Sequence, residues 1–556
     1  MEAIRLNQPI ATPVQKAMRR EWLFFAFVCA ALLQLELVFD RPINWDEFYH
    51  LSQTHAFYQG RLTEALQVFY ARAFFWLPML AGDAIDQVRV ARIFMFGCEL
   101  FTAYAIYAMA SRFTERMPAA LAALAYLAGG YIFQHGFSYR ADPMAAALLM
   151  GSLWTLLVSR LGPLAILCSA LLAGLATLTT IKVVFYAPAF AGIAWLRWGE
   201  AEDRRAVLLA TAAFASATVA FAGLFIGLTM LTLPRGSLES PADALSTAAA
   251  TMFDGGLFPL LRFVLGAVAM APITAMLVLT APIDLARARL TPAQCIAIGG
   301  LLLPLASVVV YRNSYPYFYV FILPPVMVGA AISAREMLTR VPASVLSLAL
   351  LLNAALVSLY TPRAVLAVQK QVLAAAHEVF PEPVAYFDYS GMLVDFPKAN
   401  FFMSNWDLRK YWARREPLFV GIMSRETVPL LVIDKDVLEN NQTGSTSAEQ
   451  LLPEDARALR DAFIPHWGPL WVAGRSFSPE VREQRFTIYA PGTYTLEGGS
   501  ARIDGYLYST GEIVSLARGE HRFERMGGNG KMALRWGNNL KRPAYPFAGG
   551  PVFDDF

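Results

Sequence analysis

The class this sequence predicts is a polytopic α-helical membrane protein with a folded, exported C-terminal unit, and three observations carry that reading. The 556 residues are 56% hydrophobic and only 16% charged, with a mean hydropathy of +0.43. Apolar runs able to cross a hydrocarbon core of about 30 Å, which needs roughly 20 helical residues, recur over the first two-thirds of the chain. After residue 360 they stop, and short strand-like segments divided by Gly and Pro turns take over.

Taken in order, the runs predict about eleven spans, at 22–39, 93–110, 118–134, 143–159, 161–181, 183–198, 206–233, 257–283, 295–311, 315–334 and 341–360. Helices are the economical way to cross, because each backbone polar group then finds its partner within the segment. Lys16, Arg19 and Arg20 precede the first run, and short cytoplasmic loops collect Lys and Arg. Counting alternately puts Arg112 with Arg116, Arg160, Arg197 with Arg204 and Arg205, Arg287 with Arg289, and Arg335 with Arg340 on that same side. The N-terminus is then cytoplasmic, and an odd number of spans sends residues 361–556 to the exported side. In a bacterial cell this means the inner membrane, with the C-terminal unit in the periplasm. The first run lacks a small-residue cleavage site and reads as a retained helix.

Cys29, Cys98, Cys168 and Cys295 all fall within predicted spans, so no disulfide framework is implied. A net charge of +3 fits the positive-inside bias and points to no nucleic-acid partner.

Three regions follow. Residues 1–360 form the membrane part, with a long first exported loop at 40–92. Within that loop Leu62 to Met79 mixes Phe69, Tyr70, Phe74, Phe75 and Trp76 with Glu64, Gln67 and Arg72, a composition suited to an interfacial helix. Ser240 to Leu260 is a second candidate. Residues 361–480 read as an exported α/β region, with apolar runs at Val384 to Phe387 and Pro429 to Ile433 around a helical Trp406 to Arg414. Residues 481–556 read as a β-sandwich. Its strands are predicted at Arg485 to Ala490, Thr493 to Glu497, Ile503 to Tyr508, Glu512 to Leu516 and His521 to Arg525, with turns at Pro491-Gly492, Gly498-Gly499, Thr510-Gly511 and Arg518-Gly519. Trp467, Trp471 and Trp536 read as core aromatics, with stacking on sugar faces as the alternative.

Ionisable residues at membrane depth are costly and mark functional positions. The densest such segment is Asn44-Trp45-Asp46-Glu47-Phe48-Tyr49-His50, just beyond the first span. The derived topology brings Asp46, Glu47, Arg140, Asp142, Lys182 and Arg312 to the exported ends of spans. Carboxylates to take a proton and cations to hold an anion are the parts needed to move a sugar from a lipid phosphate to an acceptor hydroxyl. Glu99 and Glu36 lie inside spans, where a carboxylate costs up to about 2.5–3.5 kcal/mol, so each faces a cavity or a partner. His50 and His55 beside Asp46 raise the alternative of a divalent cation.

Bland readings stand beside these. Asp46 and Glu47 could be solvated acids capping the next helix, and Asp142 before Pro143 could be a helix N-cap. Arg140 and Lys182 could snorkel to the interface, and Arg312 could be an ordinary interfacial arginine.

The sequence resembles the GT-C superfamily of polyprenyl-phosphate-sugar-dependent glycosyltransferases, which includes protein O-mannosyltransferases and lipid A aminoarabinose transferases. The resemblance rests on Trp45-Asp46-Glu47 in a long first exported loop, Arg89 to Arg92 leading into span two, Arg140-Ala141-Asp142-Pro143, Thr180-Ile181-Lys182, and the run from Tyr311 through Arg312 and Tyr315 to Tyr319 and Pro324-Pro325. It covers roughly residues 20–335. It implies that Asp46 is the general base with Glu47 as its neighbour and that Arg140, Lys182 and Arg312 hold the donor phosphate; Asp142, Glu99, Arg92, His50 and Tyr315 are read beside them as further candidate site residues. It implies a polyprenyl-phosphate-linked sugar as donor, and an envelope lipid (lipopolysaccharide among them), glycan or protein as acceptor. A flippase with midplane charges on broken helices, or a glycan ligase relying on late-loop basic residues, are the competing classes.

Overall fold

The computed structural model describes residues 13–62, 68–231, 252–443 and 451–554. Ten helices build its first half: α1 (Pro13–Asp40), α2 (Trp45–Tyr58), α3 (Val68–Ala73), α4 (Ala84–Ala110), α5 (Arg116–Leu127), α6 (Gly130–His135), α7 (Ala141–Val158), α8 (Pro163–Thr179), α9 (Ala187–Glu200) and α10 (Arg204–Leu231). Then come α11 (Leu261–Met270), α12 (Pro272–Arg287), α13 (Pro292–Leu302), α14 (Phe318–Leu338), α15 (Ala343–Tyr360) and α16 (Ala364–Val379).

Among the described residues seven helical segments are long and apolar enough to cross a membrane; α11 and α12, bent by 109°, make an eighth if taken as one span. The bend sits at Ala271, because the residue before Pro272 is driven out of helical geometry and proline has no N–H to continue the ladder. The remaining expected spans are occupied by shorter helices. The run at 118–134 is divided at Gly129-Gly130, where a Cβ on Gly130 would stand 2.8 Å from Met270 Cβ. At one end of the bundle Arg112 pairs with Glu200 at 3.0 Å and Arg197 bonds the Ser159 carbonyl at 2.6 Å, so three of the basic loops gather there.

The central helix is α14, buried on every side. Pro324 and Pro325 lie inside it, and neither can donate to the carbonyls of Val320 and Phe321 four residues earlier. Two tyrosines from neighbouring segments take up those acceptors: Tyr126 Oη donates to the Val320 carbonyl at 3.2 Å and Tyr186 Oη to the Phe321 carbonyl at 2.6 Å. A proline pair that would break an isolated helix is thereby kept at the axis of the bundle.

The long loop between the first two expected spans folds inward. Of the expected interfacial helix, 63–67 lie outside the described residues; α3 and a 3-10 turn at Leu77–Met79 follow, with Tyr70 and Phe74 buried and Phe75 and Met79 exposed. Most of the second expected interfacial element, 240–251, also lies outside them.

Beyond α16 come β1 (Tyr386–Phe387), α17 (Asn405–Arg414), α18 (Leu418–Arg425), β2 (Leu430–Val432), α19 (Asp436–Thr443), α20 (Pro453–Ala462), β3 (Phe463–Trp467) and β4 (Leu470–Phe477). The tail adds β5 (Glu483–Ile488), β6 (Gly492–Glu497), β7 (Ser500–Ile503), β8 (Tyr506–Tyr508), β9 (Ile513–Leu516), β10 (Gly519–Gly527) and β11 (Met532–Trp536). One sheet runs β1-β2-β4-β11-β6-β9 with β3 also on β4; β1 and β2 are parallel and the other pairs antiparallel. The second sheet runs β5-β10-β7-β8, and the two pack face to face through Phe477 stacked on Phe523 at 3.8 Å. The first sheet therefore carries strands from both sides of residue 480. The strand expected at 503–508 is instead a hairpin, β7 and β8, because Asp504 and Gly505 both adopt positive φ (50° and 92°), the two-residue turn that Asp-Gly favours. Trp467 packs edge-on to Tyr545 and Phe547, and Trp536 lies 6.1 Å from Phe380, so both serve the core.

The C-terminal unit sits on α2. Tyr49 stacks on Phe402 at 4.1 Å, Trp45 meets Tyr389 and Phe553 edge-on at 6.3 Å, and Lys435 covers the Trp45 ring at 4.8 Å. Gln369 of α16 completes the joint, bonding the Ile43 N–H (2.9 Å) and the carbonyls of Ile43 (2.7 Å) and Val552 (3.0 Å).

The proline account predicts that Tyr126→Phe and Tyr186→Phe each cost about 1 kcal/mol, since each leaves one carbonyl of α14 without a donor. The check is the thermal midpoint in detergent; a double variant as stable as the wild type would contradict it.

Candidate active site

The site is built at the head of α2. Asn44 is the N-cap, accepting from the Asp46 N–H at 3.0 Å, and Glu47 reaches back to the Asn44 N–H at 3.0 Å. Glu47 is buried and does more than cap. Arg92 of α4 grips it with Nε at 2.8 Å and Nη2 at 2.5 Å, and the Tyr139 N–H donates at 2.8 Å. Two backbone amides and two guanidinium donors fill the acceptor sites of a carboxylate, so Glu47 has none left for a substrate. Arg92 spends its other donors on the carbonyls of Arg41 (2.8 Å), Pro42 (2.8 Å) and Val38 (3.3 Å), which fixes the turn from α1 into α2. Burial alone would raise the Glu47 carboxyl; Arg92 and the two amides outweigh it and hold it below the usual carboxylate range.

Asp46, one residue earlier on the turn, is the partly exposed acid, its side chain 21% accessible. It is paired with Arg140, the N-cap residue of α7. Arg140 also reaches Asn44 Oδ1 at 3.3 Å, stands 4.0 Å from Asp142 through Nε, and has its guanidinium carbon over the Tyr317 ring, 3.5 Å from the centroid. Asp142 is bonded to Lys182, whose ammonium sits 5.6–5.9 Å from the rings of Tyr317, Phe318 and Phe321. Asp142 is not a helix N-cap; Arg140 occupies that position and Asp142 lies in the first turn, aimed at Lys182. The structure thus joins Asp46, Arg140, Asp142 and Lys182 in one alternating chain of charges, with Arg92 and Glu47 behind it.

Other expected residues lie apart. Arg312 pairs with Asp254 at 3.0 Å, and Arg409 of α17 approaches the same carboxylate at 3.8 Å. Glu99 is deep in α4, bonded by Gln34 Nε2 at 2.8 Å and pressed against Gly136, where a Cβ would stand 2.1 Å from Oε1. His50 packs against Tyr70 (4.6 Å) and Tyr139 (6.2 Å); burial and then Arg140 push it down to about 3, so it stays neutral in any ordinary assay. His55 bonds Gln87 at 2.7 Å. Among the described residues no three of His, Cys, Asp and Glu converge as a metal site, and Asp46 and Asp142 are each engaged by a cation. Tyr315 stacks on Tyr317 at 5.8 Å. Tyr317 itself, beneath Arg140 and beside Lys182, went unselected in the sequence although Pro316 before it marks the start of α14.

Glu47→Gln removes the charge that balances buried Arg92, so it should cost about 3–5 kcal/mol and lower the melting temperature sharply. Because folding depresses the Glu47 pKa, its contribution is present above the usual carboxylate range and is lost as pH falls through the folded value. Wild-type stability in detergent should therefore decline below about pH 4, and the decline should be shallower in Glu47→Gln.

No protein-family model matches the chain, and no curated protein matches it. Its fold is similar to solved structures. ArnT from Cupriavidus metallidurans bound to undecaprenyl phosphate superposes with a TM-score of 0.53 at 15% identity, over 77% of this chain and 95% of that one. The apo state of the same protein gives 0.51 at 14% identity, over 82% and 98%. An oligosaccharyltransferase from Archaeoglobus fulgidus follows at 0.46 and 13%, over 81% and 73%. With its helical membrane part and β-rich C-terminal unit, this chain has the GT-C fold.

Proposed function

We propose that the chain is an integral membrane glycosyltransferase that moves a sugar from a polyprenyl-phosphate donor to a hydroxyl of an envelope lipid, glycan or protein. The observation that carries this reading is the meeting of Asp46, partly exposed, with Arg140, Asp142 and Lys182 at one end of the bundle, under the C-terminal unit. Undecaprenyl phosphate bound to ArnT supports the donor class.

In this reading Asp46 takes the proton of the acceptor hydroxyl as its oxygen bonds the anomeric carbon. The bond from that carbon to the phosphate oxygen breaks, and the electron pair leaves with the polyprenyl phosphate. Inversion follows from the single displacement. Arg140 and Lys182 stabilise the charge gathering on the phosphate, and they act strongly because they are held in place before reaction by Asp46, Asp142 and the Tyr317 face. Glu47 and Arg92 position Asp46 without touching the reactants. Arg312 is assigned a supporting part, tying the loop at Asp254 to α17 of the C-terminal unit.

The basic loops gathered at the opposite end support a cytoplasmic N-terminus and a periplasmic C-terminal unit in a bacterial inner membrane. Eleven crossings, with short helices completing the count, accompany that orientation. The regions 1–360, 361–480 and 481–556 are kept as sequence divisions of one catalytic membrane part and one exported unit.

The test compares cells lacking the protein with cells making wild type or single variants, by mass spectrometry of envelope lipids and glycans. Wild type should add one sugar mass to an envelope species. Asp46→Asn should reduce that product about 10²–10⁴-fold, the usual worth of a general base, at unchanged protein level. Arg312→Ala should reduce it less than about tenfold. Full product from Asp46→Asn would remove the base assignment, and a deeper loss from Arg312→Ala than from Asp46→Asn would favour a ligase mechanism.

A further inference from the structure

Two glutamates are buried among the described residues, Glu47 and Glu99, and only the first has a cation. Glu99, seven residues beyond Arg92 on α4, makes no ion pair among the described residues. Arg92 lies about 10 Å back along the helix, at 1.5 Å of rise per residue, and is spent on Glu47 and three carbonyls. What Glu99 meets instead is an amide. Gln34 of α1, also buried, donates through Nε2 to Glu99 Oε1 at 2.8 Å.

The hydrogen bonds fix which way that amide points. Gln34 Nε2 also donates to the carbonyls of Phe133 at 3.1 Å and Ile132 at 3.4 Å. A carbonyl only accepts, so the atom turned to α6 is the nitrogen. Two oxygens are then buried without a donor, Gln34 Oε1 and Glu99 Oε2. Each is costly left so, and a bare carboxylate in that position costs more than a neutral acid. One proton answers both defects. A neutral carboxylic acid carries one O–H donor, and an acid set against a primary amide closes two bonds together, amide N–H to acid carbonyl and acid O–H to amide carbonyl.

The pair also grips the chain that leads to Arg140. Gln34 holds two carbonyls of α6, and the Glu99 carboxyl lies against Gly136, where a Cβ would stand 2.1 Å from Oε1 and 2.5 Å from Oε2. From there the backbone runs to the site in short turns. The Gly136 N–H donates to the Ile132 carbonyl at 2.7 Å, Ser138 to His135 at 3.0 Å and Arg140 to Ser138 at 2.7 Å, while the Tyr139 N–H goes to Glu47. Arg92 stands over the Phe137 ring at 5.7 Å. Helix α4 thus holds this stretch at two points on one face, Arg92 beside the site and Glu99 two turns deeper.

We propose that Glu99 is protonated in the folded protein and forms an acid–amide pair with Gln34, and that this neutral clamp positions Arg140. It acts through the 132–140 segment and touches no reactant. The part played by Arg140 rests on the function proposed above; the proton on Glu99 does not.

The test is infrared spectroscopy of the full chain in nanodiscs at neutral pH, with carbon-13 in the glutamate side-chain carboxyls. Unmodified wild type should show a label-shifted carboxylic-acid carbonyl band, and carboxylate bands alone would overturn the proton without any variant having to fold. Glu99→Gln should remove the acid band; Glu36→Gln, whose acid is exposed and paired with Arg363, should leave it. Gln34→Leu should move the band, and an unmoved band would overturn the pairing with the amide. A glutamine at position 99 reproduces both bonds of the acid, so Glu99→Gln should keep the thermal midpoint and the envelope product of the wild type. Glu99→Leu should lower that product about 10–10²-fold, the scale of a misplacement of about 1 Å. Full product from Glu99→Leu, or a loss in Glu99→Gln as deep as in Glu99→Leu, would overturn the neutral clamp as a positioning device. Wild type that adds no sugar would defeat the function proposed above, and the part of Arg140 with it, while the acid band still decides the state of Glu99.

Discussion

The bidentate contact between Glu47 and Arg92 is the constraint on which the site depends. Two opposite charges with almost no access to solvent are stable only if their geometry is good and their remaining hydrogen-bonding capacity is met. Both conditions hold: Glu47 accepts from Arg92 and from two backbone amides, and Arg92 donates to three carbonyls of the α1 to α2 turn. This single pair fixes α4 against the start of α2 and the segment leading into α7. Asp46 and Arg140 are the side chains that those two helix starts present to each other.

From there the charges alternate outward. Asp46, Arg140, Asp142 and Lys182 are held by their neighbours, and the aromatic floor of Tyr317, Phe318 and Phe321 keeps water from the cations on one side. The floor belongs to the start of α14, the helix whose proline pair is rescued by Tyr126 and Tyr186. On the other side the C-terminal unit presses on Trp45 and Tyr49. The acid proposed as base is thus flanked by a residue the C-terminal unit touches.

Much of this was legible in the sequence for one reason: charges are expensive near a hydrocarbon core, so Asp46, Arg140, Asp142 and Lys182 stood out at the ends of apolar runs. The helical positions were legible from the same runs, and the tail's turns from Gly and Pro. Capping by the acid pair was one of the readings the sequence offered, but that Glu47 in particular closes the capping box and is gripped by Arg92 of α4 was not read. The Asp504-Gly505 hairpin was available in the same way. Other features need tertiary contact: the pairing of Arg312 with Asp254, the placement of Tyr317 under Arg140, and the packing of the tail on α2. No local pattern encodes them, because they depend on which helices become neighbours.

The central claim is that the charge chain at the head of α2 holds the donor phosphate beside Asp46. Its most direct test is a structure of the full protein with a polyprenyl-phosphate-linked sugar and no acceptor. The account predicts phosphate oxygens within about 3 Å of the Arg140 guanidinium, with the anomeric carbon facing Asp46. A phosphate held instead at the Arg312 and Asp254 pair, with Asp46 still closed on Arg140 and remote from the sugar, would contradict it.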